Sequence, residues 1–182
     1  MGEPRRILAL DAAGTACSAA VWAEGRVVAQ RLEVMQRGQS ERLLPLVEAV
    51  MAEAGLAYAA LDAVAVSRGP GGFTGVRIGL AAARGLALAW GLPLIGVTNF
   101  EALAAAVPAA ELADRTLAVL LDSKRAEVYA QAFAPDRRPL GEPGLIVPAL
   151  LDGRLPPGPL LLAGDGVAQA RGALAAAGRA LA

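Results

Sequence analysis

The segment "SRGPGGFTGVRIGLAAARG", from Ser67 to Gly85, places four glycines and a proline between a short apolar run and a long apolar helix. A glycine-rich loop before a helix either binds an anion through free backbone N–H groups or lets two parts of a chain pack closely. A phosphate-binding loop ends in Gly-Lys-Ser/Thr, but here Gly75 is followed by Val76 and Arg77. In the dinucleotide-binding pattern, Thr74 stands at the third glycine. The loop therefore favours close packing over a phosphate site.

The helix after this loop, predicted from about Thr74 to Trp90, is apolar on nearly every side. Only Arg77 and Arg84 are charged between Val76 and Trp90, and both fall on one narrow stripe. Such a helix is typically buried on more than one side. Small residues recur at four-residue spacing and would let a second helix approach closely: Gly75, Gly79 and Ala83. The pattern favours a docking surface, and the alternative is an alanine-rich core helix enclosed by its own chain.

A second amphipathic helix is predicted from Ser40, as the N-cap, to Ala54, with Gly55 ending it. We expect the two helices to pack side by side on one face of a sheet and to form the surface that a partner contacts. The predicted partner-binding residues are Leu43, Leu44, Val47, Gly75, Arg77, Gly79 and Ala83.

The composition excludes several classes of chemistry. The chain of 182 residues is 55% hydrophobic and 19% charged with a formal net charge of zero, which argues against binding nucleic acid by itself. It has no histidine, so a Ser-His-Asp triad and a histidine-ligated zinc site are excluded. The lone Cys17 excludes a disulfide framework and is expected to be a small strand residue. Without a visible signal peptide or membrane-spanning run, the predicted location is cytoplasmic.

Strands and helices alternate in an order that predicts an α/β protein with a mixed sheet covered by helices. The pattern "RILALD" (Arg6–Asp11) recurs as an apolar strand ending in Asp within "TLAVLLDSKRAEVYAQAF" (Thr116–Phe133). This repeat places Asp122 on Asp11 and Tyr129 on Ser18, and it predicts two related halves, 1–107 and 108–182. The second half is reduced or cut short, and the chain ends in mid-helix. Trp22 and Trp90 are predicted core residues.

Asp11 is the other candidate for chemistry because it ends a strand and is followed by "AAGT". A carboxylate in this position can face magnesium and a phosphate, or it can cap backbone N–H groups of the turn. The turn interpretation is favoured.

Four segments together resemble the TsaB family, also called YeaZ: "ILALDAAGT", "QSERLLPLVEAVM", "GPGGFTGVRIGL" and "AVLLDSKRAEVYAQAF". The resemblance implies the duplicated actin-like ATPase (ASKHA, ribonuclease H-like) fold shared by acetate kinase, sugar kinases, Hsp70 and actin. It also implies an accessory role in the bacterial formation of N6-threonylcarbamoyladenosine in tRNA. The implied partners are a TsaD-like catalytic subunit and a TsaE-like ATPase, with tRNA reached only through the complex. Without its partner, the chain is expected to form a homodimer through the same helices.

The same resemblance implies that this chain is not the catalyst. The catalytic relative carries a metal-binding His-x-x-x-His, and those two positions are Asn99 and Leu103 here, so no metal site, catalytic residue or cofactor of its own is expected. The resemblance leaves open whether ATP or ADP binds at the interface with the catalytic partner. Asp11 and Gly14 resemble a nucleotide-phosphate turn, and they are the residues expected to lie near any nucleotide.

Two other functions compete with the accessory role. One is an ATP-dependent kinase or phosphotransferase of the same fold, which would use Asp11 with magnesium. The other is a metallopeptidase, which the missing histidines contradict.

Overall fold

The structure, a computed structural model, describes residues 5–182 and divides into two compact units, the first ending at Thr98 and the second beginning at Asn99. The predicted boundary after residue 107 therefore falls too late. The reason is that the helix after Thr98 buries Phe100 and Ala104 among the apolar residues of the second unit's strands. No helix within the described range is long and apolar enough to cross a membrane.

The first unit is a five-stranded sheet with two helices that pack against each other and cover one of its faces. Its elements are β1 (Arg6–Asp11), β2 (Ala16–Ala23), β3 (Arg26–Val34), α1 (Gln39–Ala54), β4 (Ala63–Ser67), α2 (Phe73–Trp90) and β5 (Leu94–Val97). The strand order is β3-β2-β1-β4-β5, with β1 antiparallel to β2 and parallel to β4. The predicted side-by-side packing of the two helices is confirmed.

Glycines end and begin the two helices. Gly38, with φ of 93°, precedes α1, and its carbonyl accepts hydrogen bonds from the N–H groups of Glu41 and Arg42 at 3.0 and 3.1 Å. The helix therefore starts one residue before Ser40, and the predicted Ser40 N-cap is wrong. At the other ends, Gly55 and Gly91 adopt left-handed conformations that L-amino acids with a side chain disfavour, as expected of helix C-termini.

Helix α1 is also tied to strand β3 by charged side chains. Arg42 donates hydrogen bonds to the Glu33 carboxylate, and a guanidinium nitrogen of Arg31 lies 2.5 Å from a carboxylate oxygen of Glu53. The hydrogen bond from Arg42 holds the pKa of Glu33 below its ordinary value of 4.5. A carboxyl whose pKa is lowered by folding adds stability above its unfolded pKa and loses that contribution as the pH falls through the lowered value.

This pair leads to a prediction about acid stability. The melting temperature of wild type should fall as the pH is lowered, in part because Glu33 becomes protonated. Arg42→Met is expected to remove that part of the decrease, because the Glu33 carboxyl then has the same pKa in the folded and the unfolded chain. Melting curves of wild type and variant at steps from neutral pH to below pH 4.5 measure it. The charge-matched control is Arg37→Met at another exposed position. An acid-side profile of Arg42→Met parallel to that of wild type would contradict the prediction.

The second unit repeats the topology of the first. It contains α3 (Asn99–Ala106), α4 (Ala109–Leu112), β6 (Thr116–Asp122), β7 (Val128–Phe133), β8 (Gly144–Ile146), β9 (Leu160–Ala163) and α5 (Val167–Ala176). Its strand order is β8-β7-β6-β9, with β6 antiparallel to β7 and parallel to β9, as in the first sheet. Short strand β8 lies in a stretch that is rich in Pro and Gly.

The predicted correspondence between the two units is correct at Asp122, but it is shifted by one residue after that position. Strand pairing sets Asp11 opposite Ser18 and Asp122 opposite Val128. Val128, not Tyr129, is therefore the counterpart of Ser18. A shift of one residue in a strand moves a side chain to the other face of the sheet, so the linear alignment had placed Tyr129 on the wrong face.

The predicted mid-helix end of the chain is also wrong. Helix α5 ends at Ala176, and Gly178 adopts φ of 78°. The last residues then run parallel to β9, where the N–H of Leu160 donates to the carbonyl of Ala180 and the N–H of Ala182 donates to the carbonyl of Leu160, both at 2.9 Å. Pairing with an open strand edge satisfies backbone groups that a longer helix would leave there unpaired.

Candidate partner-docking face

The small-residue stripe of α2 faces the sheet of its own unit. A Cβ added to Gly79 would lie 3.6 Å from Cγ2 of Val66, and one added to Gly75 would lie 2.0 Å from the carbonyl oxygen of Ala12. Ala83 is fully buried. The expectation that a partner helix approaches Gly75, Gly79 and Ala83 is therefore wrong. The four-residue spacing marks a face for close approach, but the neighbour is the chain's own sheet and the turn after β1.

Helix α1 is arranged in the same way. Leu43 and Val47 are buried in the core beneath it, so neither can meet a partner while the unit is folded. Of the seven predicted partner-binding residues, only Leu44 and Arg77 present exposed side chains. Whether those two bind a partner stays a prediction.

The outward side of α2 carries a different set of residues. At spacings of four, four, three and four, the helix exposes Phe73, Arg77, Ala81, Arg84 and Leu88. Phe73 is 74% exposed and Leu88 is 86% exposed, which is a high exposure for large apolar side chains on the face of one helix. The Arg77 guanidinium lies over the Phe73 ring, 3.2 Å from its centroid.

On α1, the exposed residues that lie away from the ion pairs with β3 include Glu41, Leu44 and Glu48. Arg42 and Glu53 pair with β3 on one flank, so the i, i+3 and i+4 spacing puts Leu44 and Glu48 towards the other flank, beside α2. We call these three residues, with the five residues of α2 named above, the helical face. It combines exposed apolar side chains with acidic groups on α1 and basic groups on α2.

The sequence does contain a signal for the solvent-exposed side of α2, although the small residues drew the prediction to the opposite side. Arg77 and Arg84 fall on one stripe, and a stripe of charges marks the side of a helix that meets solvent. Phe73 and Leu88 lie on that same stripe and were not among the predicted residues.

Trp90, predicted as core, is instead 47% exposed at the end of α2. Its ring stacks on that of Tyr58, with centroids 5.7 Å apart and an interplanar angle of 9°. Burial, followed by the charge of Glu48, raises the pKa of the Tyr58 hydroxyl. The stacking covers one face of the indole of Trp90.

The glycine loop is closed by the turn after β1. The N–H of Gly72 donates to the carbonyl of Ala13 at 2.7 Å, and a Cβ on Gly71 would lie 2.5 Å from that same oxygen. Asp11 Oδ1 accepts hydrogen bonds from the N–H of Ala13 at 3.0 Å and from the hydroxyl of Ser67. These contacts fit the turn interpretation of Asp11 and the packing interpretation of the loop. Gly14 is exposed, with open space around its Cα, and its nearness to a nucleotide stays a prediction.

The second unit has a similar strand end. Lys124 donates from Nζ and from its backbone N–H to the Asp122 carboxylate, both at 2.7 Å, and these bonds lower the pKa of Asp122. The carboxylate of Asp165 accepts the N–H of Asp122, and a Cβ on Gly164 would lie 2.1 Å from the carbonyl oxygen of Leu120. Both units therefore pack a glycine-containing loop against the end of their first strand.

The remaining candidate residues from the sequence analysis are Cys17, Asn99 and Leu103. Cys17 is buried, and burial, followed by the charge of Asp11, raises the pKa of its thiol. Asn99 is the first residue of α3, and Leu103 packs into the apolar cluster of the second unit. Among residues 5–182, no three His, Cys, Asp or Glu side chains come together as a metal site would require.

Two units with this repeated topology define an actin-like ATPase (ASKHA) fold. The activator of 2-hydroxyisocaproyl-CoA dehydratase from Clostridium difficile superposes with a TM-score of 0.54 at 13% identity, over 97% of this chain and 87% of that one. A chain of the PilM-PilN type IV pilus biogenesis complex gives 0.53 at 11% identity, over 96% and 87%. Likeness at such identities supports the fold alone.

The family is shown by nearer relatives. YeaZ from Pseudomonas aeruginosa has a TM-score of 0.80 and 33% identity, covering 92% of this chain and 79% of that one. The tRNA threonylcarbamoyladenosine biosynthesis protein TsaB of Escherichia coli is 41% identical over 131 residues, or 72% of this chain and 56% of the relative. That of Haemophilus influenzae is 39% identical over 68% of this chain and 51% of the relative. The family model "TsaD: tRNA N6-adenosine threonylcarbamoyltransferase" matches residues 31–144.

The chain belongs to the TsaB family, also called YeaZ. It spans about half the length of these two curated relatives.

Proposed function

We propose that this chain is a non-catalytic partner subunit of the bacterial complex that forms N6-threonylcarbamoyladenosine in tRNA. In this proposal, it binds a TsaD-like catalytic subunit through the helical face. The observation that carries the proposal is that Phe73, Leu88 and Leu44 are exposed on two adjacent helices. Exposed apolar side chains on adjacent helices, interspersed with charges, are typical of protein–protein interfaces. The names of the E. coli and H. influenzae relatives support the pathway.

The non-catalytic role is supported by what the chain offers for chemistry. It has no histidine, and Asn99 and Leu103 stand where the catalytic relative has its metal ligands. In the proposal the chain has no cofactor of its own, and any ATP or ADP binds at the interface with the catalytic subunit. A TsaE-like ATPase completes the complex. The chain reaches tRNA only as part of this complex, which works in the cytoplasm. Without a partner, the helical face pairs with that of a second copy.

The contacts of Asp11 do not favour a kinase. Its Oδ1 already accepts two hydrogen bonds from the chain, from Ala13 and Ser67, and the N–H of Gly72 is donated within the chain. A micromolar dissociation constant for magnesium-ATP with the isolated chain, about −8 kcal/mol, would favour the kinase instead.

The test is reconstitution with the TsaD-like and TsaE-like proteins of the same organism. We expect the chain to co-purify with the catalytic subunit, and formation of the modified nucleoside to require both. The chain alone should neither transfer the group nor cleave peptides. Turnover by the chain alone that survives repurification and disappears in Asp11→Ala would contradict the proposal.

A further inference from the structure

The turn between β1 and β2, residues 12–15, touches the entry to both helices of the helical face. The carbonyl of Thr15 accepts the N–H of Met35 at 3.0 Å, four residues before α1 begins. The carbonyl of Ala13 accepts the N–H of Gly72 at 2.7 Å, directly before α2. A single turn of four residues therefore holds the chain just before each helix.

The contact with α2 is close as well as hydrogen-bonded. The carbonyl of Ala12 lies where a Cβ of Gly75 would be, and that of Ala13 lies where a Cβ of Gly71 would be. Ala12 and Ala13 are each only 1% exposed. Because packed backbone cannot yield by a rotamer change, a displacement of the turn must displace the start of α2.

Asp11 holds this turn in place. One carboxylate oxygen accepts the N–H of Ala13 and the hydroxyl of Ser67. Ser67 is the last residue of β4, the strand that leads into the glycine loop and α2. The carboxylate thus joins the turn to the strand before α2, while the same turn reaches the segment before α1.

We propose that Asp11 is a positioning residue for the helical face, acting as a hydrogen-bond acceptor and not as a ligand of magnesium or phosphate. The proposal rests on the proposed function, because its consequence is partner affinity. The two helices can match a partner only if their relative placement is kept, and the hydrogen bonds of Asp11 keep it. An acceptor role needs an oxygen and no charge, whereas a metal-ligand role needs the charge.

The test compares Asp11→Asn, which retains an acceptor oxygen, with Asp11→Ala, which does not. We expect Asp11→Ala to raise the dissociation constant for the TsaD-like subunit about ten-fold by calorimetry, the order expected for the loss of two part-buried hydrogen bonds. Asp11→Asn should bind like wild type. The matched control is Asp122→Ala, the equivalent strand end of the second unit, which should leave partner affinity unchanged.

Hydrogen exchange well below the melting temperature supplies a readout that general destabilisation would not give. In unbound Asp11→Ala, exchange should accelerate in the first turns of both α1 and α2 but not in their last turns. If Asp11→Ala does not fold, Ser67→Ala removes one of the same hydrogen bonds and should show the same exchange pattern with a smaller loss of affinity.

Three results would overturn the proposal: Asp11→Asn losing as much affinity as Asp11→Ala, unchanged affinity in folded Asp11→Ala, or accelerated exchange outside the turn of residues 12–15, the glycine loop and these two helix starts. If wild type does not bind the catalytic subunit at all, the proposed function fails and the positioning role fails with it. The exchange pattern would then show only whether the turn holds the helices.

Discussion

Gly75→Ala is expected to destabilise the first unit by about 3 kcal/mol or more, because the added Cβ meets backbone that cannot rotate away. That Cβ would lie 2.0 Å from the carbonyl oxygen of Ala12, so either the turn or the helix must shift. The measurement is urea unfolding of the purified chain, followed by circular dichroism and by Trp fluorescence.

The same helix offers two matched controls for this substitution. A Cβ on Gly79 would make ordinary contact at 3.6 Å, and one on Gly85 would meet nothing within 4 Å. Gly85→Ala should therefore stabilise the unit by about 0.5–1 kcal/mol, since alanine has the better helix propensity. Gly79→Ala should fall between the two. Equal unfolding curves for Gly75→Ala and Gly85→Ala would contradict the close approach of α2 to the turn.

Leu88→Glu is expected to weaken association with the TsaD-like subunit by about 2 kcal/mol or more, as loss of an apolar hot-spot contact in an interface does. Its side chain is 86% exposed in the chain alone, so the melting temperature should hardly change. Calorimetry with the catalytic subunit measures the affinity, and thermal melting of the same sample measures the fold.

Two controls separate binding from folding. Leu150→Glu changes a side chain that is 65% exposed in the second unit, outside the helical face, and should bind normally. Leu43→Glu places a charge where the side chain is only 1% exposed, and it should melt far lower. If folded Leu88→Glu binds as wild type does, the outward side of α2 is not where the partner docks.

The core of the fold could be read from the sequence because it depends on local signals. Apolar runs that end in Asp11 and Asp122 marked the first strand of each unit, and Gly55 marked the end of α1. The predicted boundary at residue 107 was wrong because which sheet covers Phe100 is a tertiary contact that the helix pattern of α3 does not contain.

The candidate site was predicted at the right helices but on the wrong sides of them. Gly75, Gly79 and Ala83 were correctly recognised as residues that permit close approach. Small residues permit the approach of any neighbour, and a helical period of 3.6 residues does not say which neighbour comes. For the same reason, the sequence pattern did not show that Leu43 and Val47 are buried while Leu44 is exposed.

By itself, the sequence determined the order of the elements in the first unit, the repeat of the two units and the absence of histidine chemistry, because these follow from residue types and their spacing. Only the tertiary structure decided that the turn after β1 fills the space beside Gly71 and Gly75, and that Gly79 and Ala83 face the chain's own sheet. The physical reason is that the neighbour of a small-residue face is selected by contacts with strands distant in the chain, whereas sequence periodicity marks the face and not the neighbour.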